Sequence, residues 1–329
     1  MTALACPDDA RWMAAAITLA SRGQGLTAPN PNVGCILVKG GRIVGRGWTQ
    51  PGGRPHVEAM ALANAGTAAR GATAYVTLEP CAHESVRGGA CADALIAAGV
   101  AAVVTALTDP DPRTAGAGHD RLRAAGVAVR EGVASDAARD SMAPWLSRQT
   151  RGRPFVTLKL ATSLDGCIAL ADGQSRWITG ARARAHAHLE RARHDAILVG
   201  RGTFDTDAPT LDVRLPGLEA RSPRRILLTG GDAPEGWSAI ANAEASDDLP
   251  SVNALLVEGG AKTAAAFLRA GRVDRLILYR APILIGAGRG ALGDIALADL
   301  GDAHGRWRLR DSRTLGSDRL EVYDAVRKD

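Results

Sequence analysis

Hydrophobic and polar positions along the chain alternate between the spacing of helices and the spacing of strands. From Trp12 to Leu19 the apolar side chains recur on or near one helical face, which predicts a helix that Asp8 caps and that runs through Arg22. A double glycine at 40–41 separates two apolar runs and predicts a hairpin. The first part of the chain is accordingly predicted to contain strands at 33–38, 42–45, 73–78 and 101–106, a helix that bears His56 and Glu58, a helix from Cys91 to Gly99, and a helix–strand pair at 118–130.

This order of elements predicts an α/β protein of two domains. Crossover helices between the later strands imply a mixed sheet that is covered on both faces and that ends near Trp145. A polar segment that carries glycine and proline follows, so we expect a first domain at 1–147, a linker at 148–153 and a second domain at 154–329. With 329 residues, of which 46% are hydrophobic, the chain is long enough for two cores.

Composition excludes some classes of protein and favours others. The chain has no run of the roughly eighteen apolar residues that a membrane span needs, so we expect none. The N-terminus lacks a basic region followed by an apolar core, so no signal peptide is expected, and five cysteines, three of them without partner spacing, favour the reducing cytoplasm. The net charge of +5 suits an anionic ligand such as a phosphate ester, whereas dispersed charges and 4% aromatic residues argue against nucleic acid.

The candidate chemistry lies in a His56-x-Glu58 pair that is followed by Cys81 and Cys91. One imidazole and two thiolates are three zinc ligands, and three protein ligands leave a coordination position open for water, as catalytic zinc sites do. Glu58 is then free to move protons between this water and the base that is deaminated. A lone His-x-Glu is common, and buried cysteines are usually small core residues. Here one cysteine follows a predicted strand and the other begins a predicted helix, which favours a zinc hydrolase.

The spacing of the two cysteines departs from the Cys-x-x-Cys of the usual deaminase signature. Nine residues separate Cys81 from Cys91, so the connection needs a loop in place of a tight turn. The loop is polar and contains glycine, which allows it to double back. His83 within it is a rival metal ligand, although we expect this side chain to face substrate or solvent.

Longer motifs make the chain similar to a known family over nearly its whole length. They are APNPNVGC at 28–35, PHVE at 55–58, TLEPCAH at 77–83, LKLATSLDG at 158–166, SRWIT at 175–179 and LVEGG at 256–260. By these motifs the chain resembles the bifunctional deaminase/reductase of riboflavin biosynthesis. The resemblance implies a cytidine-deaminase-like α/β/α domain followed by a dihydrofolate-reductase-like α/β domain.

For the first domain, the resemblance implies deamination of 2,5-diamino-6-ribosylamino-4(3H)-pyrimidinone 5′-phosphate. Zinc would lower the pKa of its water to near neutrality to give hydroxide, and Glu58 would carry the proton to the ring nitrogen and to ammonia. Asn32 and Asp109 resemble family substrate contacts, although Asn32 fits an ordinary turn residue equally well. In the altered loop, Arg87 is a candidate contact for phosphate or substrate.

For the second domain, the resemblance implies NADPH-dependent reduction of the ribosyl group of 5-amino-6-(5-phosphoribosylamino)uracil to ribityl. The domain lacks a G-x-G-x-x-G spacing, and the strand, two glycines and helix at 254–264 are the better candidate for phosphate binding. The implied cofactor contacts are Ala161, Trp177, Thr203, Asp207, Gly260, Ala261, Lys262 and Thr263. The implied substrate contacts are Lys159, Ser175, Arg191, Leu211, Arg214 and Glu258.

Alternatives remain open at several of these positions. Arg191 lies in a segment rich in arginine and histidine and could belong to a solvated face. Lys159 and Glu258 could orient ribose hydroxyls and relay a proton, or form an ordinary surface ion pair. The Arg224-Arg225 pair is compatible with a 2′-phosphate or with linker charge. For the whole chain, the alternative is a zinc nucleobase deaminase with a non-catalytic, oligomerising second domain. We expect a homo-oligomer that acts on small phosphorylated pyrimidines.

Overall fold

The structure is a computed structural model that describes residues 8–83 and 88–326. Contacts between residues divide the chain into two units, Met1–Gly152 and Arg153–Asp329. Each unit builds its own sheet and its own hydrophobic core, as α/β domains do. Among the helices of the described residues, none has both the length and the apolar character needed to cross a bilayer.

The N-terminal unit alternates helices and strands in the predicted order. Its elements are α1 (Asp9–Ala20), β1 (Gly34–Lys39), β2 (Arg42–Trp48), α2 (Val57–Ala65), β3 (Thr73–Val76), α3 (Cys91–Ala97), β4 (Ala102–Thr105), α4 (Ala117–Ala124), β5 (Ala128–Arg130), α5 (Ser135–Ser141) and α6 (Ala143–Arg151). Asp8 precedes α1 but makes no side-chain cap hydrogen bond, and the helix ends in the 3₁₀ turn Ser21–Gly23.

The strands of this unit form one mixed sheet in the order β2-β1-β3-β4-β5. Strand β1 is antiparallel to both β2 and β3, whereas β3, β4 and β5 run parallel. The hairpin at 40–41 and the mixed sheet that the sequence predicts are therefore confirmed. Strand β4 is buried throughout, as expected for a central parallel strand that helices cover.

Gly34 and Gly47 show how closely the helices approach this sheet. A Cβ on Gly34 would lie 2.0 Å from the carbonyl oxygen of Ala16 in α1, and one on Gly47 would lie 2.2 Å from that of Val57 in α2. Gly47 pairs with Cys35, the neighbour of Gly34, and adjacent residues of a strand face opposite sides of a sheet. Helices α1 and α2 therefore pack on opposite faces, which confirms the predicted covering of both faces.

The C-terminal unit begins with a long buried strand and ends with a hairpin. Its elements are β6 (Phe155–Thr162), β7 (Cys167–Ala169), α7 (Ala181–Ala192), β8 (Ala196–Gly200), α8 (Arg201–Asp207), β9 (Arg224–Leu228), β10 (Ser238–Ile240), β11 (Ala254–Val257), α9 (Ala261–Arg269), β12 (Arg275–Arg280), β13 (Arg289–Gly290), β14 (Trp307–Leu315) and β15 (Asp318–Ala325).

The main sheet of this unit has the order β10-β9-β8-β11-β6-β12-β15-β14. The strands from β10 to β12 in this order run parallel, and the β14–β15 hairpin joins β12 in antiparallel fashion. Strands β7 and β13 form a separate two-stranded ribbon. Because parallel strands end at the same edge of a sheet, the residues that follow β6, β8, β9 and β11 are gathered along one edge.

The segment predicted as a linker, 148–153, belongs partly to a helix. Helix α6 continues through Arg151 and ends at Gly152, whose positive φ of 69° suits a residue without a Cβ. Arg153 is already part of the C-terminal unit, since its guanidinium donates two hydrogen bonds of 2.8 Å to the Asp274 carboxylate. The division between the units therefore falls at the Gly152–Arg153 peptide bond.

Candidate functional site

Three metal-ligating side chains meet at element ends in the N-terminal unit. His56 is the N-cap residue of α2, Cys91 is the first residue of α3, and Cys81 follows β3. Nδ1 of His56 lies 3.1 Å from Sγ of Cys91 and 3.7 Å from Sγ of Cys81, and the three donor atoms all lie within 4.8 Å of one another. Donors at the corners of a zinc tetrahedron lie about 3.5–3.8 Å apart. The group therefore fits a zinc ion held by two thiolates and one imidazole.

The two thiols differ in how readily each loses its proton. The pKa of Cys81 is lowered to about 4 because the Cys91 thiol donates a hydrogen bond to its sulfur, with a further contribution from His56. The backbone N–H of Cys91 donates to the same sulfur at 3.3 Å. The pKa of Cys91 is raised because its thiol is the donor in this pair and because it is buried. A coordinated metal cation favours the thiolate form of both sulfurs.

Glu58 lies in the first turn of α2 and is 4% exposed. Burial raises the pKa of its carboxyl, although its own backbone N–H and the nearby His56 oppose the shift. A carboxyl with a raised pKa holds a proton more readily than an exposed one, and it can accept a proton and return it within one reaction cycle. Its position beside the metal-ligand group fits the predicted proton carrier.

The metal-ligand group opens into a cavity of about 510 Å³, a size typical of small-molecule sites. The sequence-predicted residues that line it are His56, Glu58, Cys81 and Asp109. Burial raises the pKa of Asp109, and its Oδ1 accepts the backbone N–H of Asp111 at 2.9 Å. The structure thus brings two of the three predicted metal ligands, the predicted proton carrier and one predicted substrate contact to the same cavity.

The Pro-Asn-Pro-Asn segment places its two asparagines differently. Asn30 lines the cavity together with Pro29 and Pro31. Asn32 is buried outside the cavity lining, and its Nδ2 donates to the backbone oxygen of Ser141, the last residue of α5, at 3.2 Å. The sequence could not distinguish the two, since each asparagine follows a proline. In this structure the side chain of Asn32 ties the segment to the end of α5, and its predicted contact with substrate stays a prediction.

Glu79 has a role that the motif did not reveal. Its buried carboxylate accepts the backbone N–H of Asp109 at 3.1 Å, and those of Gly116 and Gly118 at 2.9 and 2.8 Å. A Cβ on Gly118 would lie 2.1 Å from the carbonyl oxygen of Pro80, so this approach requires glycine. Glu79 therefore fixes the loop that carries Asp109. The only signal in the sequence is an acidic residue directly before the Pro-Cys pair.

The loop between the two cysteines is described only in part. Arg87 lies outside the described residues, so its predicted contact with phosphate or substrate stays a prediction. His83 lines the cavity, and its Nδ1 lies 3.2 Å from Oγ1 of Thr114. Within the described residues it does not belong to the metal-ligand group, so His83 faces the cavity, as expected from the sequence.

Two adjoining cavities of about 740 and 630 Å³ form a cleft in the C-terminal unit. Both are lined by Lys159, Ala161, Ser175, Thr203, Asp207 and Glu258. The larger also contains Gly260, Ala261, Lys262 and Thr263. The smaller also contains Trp177, Arg191, Leu211 and Arg214. The structure thus gathers in one cleft every residue that the resemblance assigns to cofactor or substrate in this unit.

Lys159, Glu258 and Arg191 form an ion cluster in the wall of this cleft. Arg191 donates from Nε and Nη2 to the two oxygens of Glu258 at 2.8 and 2.9 Å, and Nζ of Lys159 lies 3.6 Å from Oε2. Burial would raise the pKa of Glu258, but Lys159 and Arg191 outweigh it and lower the pKa to about 2. The interpretation of Lys159 and Glu258 as an ordinary surface ion pair is therefore wrong, because Glu258 is buried between two cations.

The turn from β11 into α9 supports phosphate binding. Gly259 and Gly260 follow β11, and α9 begins at Ala261, as the sequence predicts. A Cβ on Gly259 would lie 2.4 Å from Cβ of Thr263, so this tight turn requires a residue without a side chain. Free N–H groups at the start of a helix of this length bind anions, and they face the larger cavity here.

The loop after α8 carries the predicted phosphate-side residues. Leu211 is buried with a positive φ of 55°, a strained conformation for a residue that has a Cβ. Nε of Arg214 lies 3.6 Å from the Asp212 carboxylate, and Nη1 of Arg191 donates to the Asp212 carbonyl at 3.1 Å. Trp177 lines the same smaller cavity, and the residue is 65% exposed. An exposed aromatic ring in a cleft is typical of a ligand contact.

Asp165 connects the turn after β6 to the segment at 285–286. Its carboxylate accepts the backbone N–H of Gly286 at 2.6 Å and the hydroxyl of Ser163 at 2.5 Å. These hydrogen bonds lower the pKa of Asp165 to about 2. They tie the turn after β6 to the glycine-rich segment that leads to Arg289, which lines the larger cavity. Sequence reasoning assigned no ligand contact to Arg289, nor to Arg201 in the same cavity.

Comparisons with known proteins match each of the two units to a family model and match nearly the whole chain to curated relatives. The model of the cytidine and deoxycytidylate deaminase zinc-binding region matches residues 7–107, and the model of the RibD C-terminal domain matches 154–242 and 248–320. The chain is 39% identical to the riboflavin biosynthesis protein RibD of Escherichia coli, with 94% of this chain and 97% of that protein covered. It is 41% identical to RibD of Mycobacterium tuberculosis, with 94% and 95% covered.

Solved structures with the same architecture cover nearly the whole chain. A diaminohydroxyphosphoribosylaminopyrimidine deaminase/5-amino-6-(5-phosphoribosylamino)uracil reductase from Thermotoga maritima has a TM-score of 0.86 at 30% identity, with 97% of this chain and 99% of that chain covered. RibD of Acinetobacter baumannii has a TM-score of 0.84 at 35% identity, with the same coverage. These matches confirm the fold class that the sequence predicts for both units.

Proposed function

The chain belongs to the RibD family of bifunctional deaminase/reductases of riboflavin biosynthesis, and from this premise we propose how its two sites divide the reaction. The N-terminal site deaminates 2,5-diamino-6-ribosylamino-4(3H)-pyrimidinone 5′-phosphate. The C-terminal cleft then reduces the ribosyl group of 5-amino-6-(5-phosphoribosylamino)uracil with NADPH. The observation that carries this proposal is the convergence of His56, Cys81 and Cys91 within 4.8 Å of one another, at a cavity that His56, Cys81 and the buried Glu58 line.

In the deaminase site, the chain's own residues would hold the metal and carry protons. Zinc held by His56, Cys81 and Cys91 would supply a water of near-neutral pKa for addition to the amino-bearing ring carbon. Glu58 takes one proton of this water and delivers it to the ring nitrogen, and it then passes the second proton to the departing amino group, which leaves as ammonia. Asp109, held by Glu79, orients the pyrimidine. Burial of Glu58 favours this role because it raises the pKa of the carboxyl.

In the reductase cleft, NADPH would supply the hydride that reduces C1′ of the opened ribosyl chain, which is present as an aldehyde or imine. Ala161 and Thr203 would hold the cofactor, and the glycine turn before α9 would bind its pyrophosphate. Lys159 and Glu258 orient the ribose hydroxyls. Because Glu258 has a pKa of about 2, it acts as a fixed anion and not as the proton relay considered from the sequence.

The sugar phosphate binds in the smaller cavity. Ser175 and Arg214 line this part of the cleft, and the guanidinium of Arg214 is exposed to it. Three donor nitrogens of Arg191 are already used by Glu258 and the Asp212 carbonyl, so Arg191 contributes mainly by holding these groups in place. The charged fork of an arginine matches a phosphate geometrically, which supports Arg214 as the main contact.

We propose that the protein works in the reducing cytoplasm. Free thiols support this location, and they are those of Cys35, Cys81, Cys91 and Cys167. A cysteine pair that forms no disulfide can serve as a metal-ligand pair, which agrees with the deaminase site. We also propose that the protein forms a homo-oligomer.

Mass spectrometry of the product tests both activities in one experiment. Zinc-replete protein is incubated with the diaminopyrimidinone ribosyl phosphate, first without and then with NADPH. We expect exchange of the amino group for oxygen without NADPH, followed by a gain of two hydrogens when NADPH is added. Exchange without later reduction would favour the alternative, a deaminase with a non-catalytic second domain. No exchange at all would overturn the substrate assignment of the N-terminal site.

A further inference from the structure

The order of strands in the C-terminal sheet defines which end of the cleft receives which half of a dinucleotide. Lys159 and Ala161 lie on β6, the glycine turn follows β11, and the segment 200–203 ends β8 and begins α8. Strand β9 comes next in the sheet, and its last residue, Leu228, also lines the cavity. Strand spacing of about 4.8 Å puts β9 roughly 14 Å from β6. With nicotinamide at β6 and pyrophosphate at β11, the adenosine half extends toward β8 and β9.

The cations that line this cavity occupy different positions along that path. Within the described residues, Lys159 is held by Glu258 at the nicotinamide end. Arg289 donates from Nε and Nη2 to the Ala171 carbonyl at 3.3 Å, beside the β7–β13 ribbon. Lys262 lies in the first turn of α9, at the pyrophosphate. Arg201 follows β8 directly and lies on the side of β9.

Arg201 has the geometry of an anchored anion receptor. Its Nε and Nη2 lie 3.4 and 3.2 Å from Oγ1 of Thr229, just after β9, and Nη2 donates to the Asp232 carbonyl at 3.1 Å. These contacts fix the guanidinium plane across the ends of β8 and β9. Nη1 makes no hydrogen bond with the described residues, and it lies 3.8 Å from Oδ1 of Asp205. The side chain is 41% exposed, which leaves it accessible to a ligand.

We infer that Arg201 binds the phosphate on the 2′-oxygen of the adenosine ribose and thereby selects NADPH over NADH. A guanidinium binds a phosphate dianion through several charge-assisted hydrogen bonds, and a ribose hydroxyl in its place offers no charge. Asp205 is the opposing charge nearby, but it is largely exposed and its repulsion is screened by solvent. The inference rests on the proposed reductase function, and it assigns a specificity residue within that site.

The Arg224-Arg225 pair, which the sequence left open as a 2′-phosphate site, does not occupy this position. Both residues begin β9, and a parallel sheet places strand starts at the edge opposite the cavity. Arg224 donates to the Pro250 carbonyl at 3.2 Å, and Arg225 packs over the ring of Trp237. This pair therefore serves as the matched control for Arg201.

The test compares Arg201→Ala with Arg224→Ala in the full-length enzyme. Steady-state reduction is measured with NADPH and with NADH, and calorimetry measures the affinity of 2′,5′-ADP and of 5′-AMP as probes of the adenosine site. For Arg201→Ala we expect kcat/KM with NADPH to fall roughly ten- to hundredfold, with little change for NADH. The affinity for 2′,5′-ADP should fall by a similar factor, and that for 5′-AMP should stay. Arg224→Ala should match the wild type in all four measurements.

The outcomes separate this inference from the proposed function. If the wild type reduces its substrate with neither cofactor, the reductase proposal fails. If the wild type prefers NADPH and Arg201→Ala keeps the same NADPH to NADH ratio, the reductase proposal stands and the inference fails. Equal losses for both cofactors would also overturn it, since they would indicate a structural role. Arg201→Lys should recover part of the preference, because it restores the charge without the fork.

Discussion

Two buried glutamates, one in each unit, have pKa values shifted in opposite directions. Glu58 lies beside the metal-ligand group, and burial raises the pKa of its carboxyl. The side chain of Glu258 is also largely buried, but Lys159 and Arg191 lower the pKa of its carboxyl to about 2. Burial disfavours the charged form of both groups, and neighbouring cations reverse this effect only for Glu258.

The opposite pKa shifts indicate what each carboxylate can do. A carboxyl with a raised pKa can take up and release a proton during turnover, as deamination requires. A carboxylate held by two cations stays ionised and keeps a fixed position, which suits the orientation of hydroxyl groups for hydride transfer. The same residue type is thus suited to carry protons in one site and to act as a fixed anion in the other.

The largest expected effect comes from Glu58→Gln. Glutamine keeps the shape of the side chain but cannot carry the proton, so release of ammonia should fall roughly 10²- to 10⁴-fold. Zinc content and the NADPH-dependent reduction of supplied aminouracil substrate should stay at wild-type values. An ammonia assay and metal analysis check this. Undiminished deamination would show that another group carries the proton.

Cys91→Ser should affect the zinc site of the N-terminal unit and leave the C-terminal unit unchanged. Serine is a poor zinc ligand, so zinc affinity should fall by more than the roughly 10- to 100-fold that loss of an outer-shell partner costs. Deamination should fall with it, while reduction continues. Cys167→Ala, a buried cysteine of the C-terminal unit, is the matched control and should retain full zinc. Full zinc in Cys91→Ser would point to another ligand, of which His83 is the nearest candidate in the sequence.

Glu258→Gln removes the fixed anion of the reductase cleft. It leaves Lys159 and Arg191 without their counter-charge, and we expect kcat/KM for reduction to fall roughly ten- to hundredfold, with deamination unchanged. Glu321→Gln is the control, because Glu321 accepts two hydrogen bonds from Arg280 outside the cleft lining. If Glu258→Gln instead moved the pH optimum of reduction at unchanged maximal rate, Glu258 would be a proton relay and the contrast with Glu58 would fail.

The smallest effect concerns stability in acid. The pKa of Glu258 falls from 4.5 to about 2 on folding, so its ionised form stabilises the unit above about pH 4.5 and this contribution is lost as the pH falls toward 2. On the order of 3 kcal/mol of unfolding free energy depends on this group. Denaturant unfolding of the C-terminal unit, followed at about pH 5 and about pH 3, should show a weaker pH dependence for Glu258→Gln. An unchanged dependence would contradict the ion cluster.

The sequence predicted the local elements well because each has a local signal. The hairpin at 40–41 follows from two glycines between apolar runs, and the helix after Gly260 follows from the strand and glycines before it. Boundaries were less well predicted. His56 is the N-cap residue of α2 and does not lie within the helix, and α6 extends into the segment predicted as a linker. A polar helix surface and a polar linker look alike in sequence.

By itself, the sequence determined the chemistry that the chain can offer. Few kinds of site use the residue types and the order of His56, Glu58, Cys81 and Cys91. Metal ligation constrains residue type more strongly than packing does. Family motifs then supplied the roles expected of both units. These are properties of side-chain identity and spacing, which the chain carries before it folds.

Only the tertiary structure decided which of these side chains share an environment. In the folded chain, Asn32 lies outside the cavity lining, and Glu258 lies between two cations that are distant from it in sequence. The tertiary structure also put Arg201, and not Arg224, at the edge where parallel strands end. A pKa depends on burial and on charges within a few ångströms, and the sheet topology sets both. The same glutamate residue type therefore acquires opposite properties in the two units.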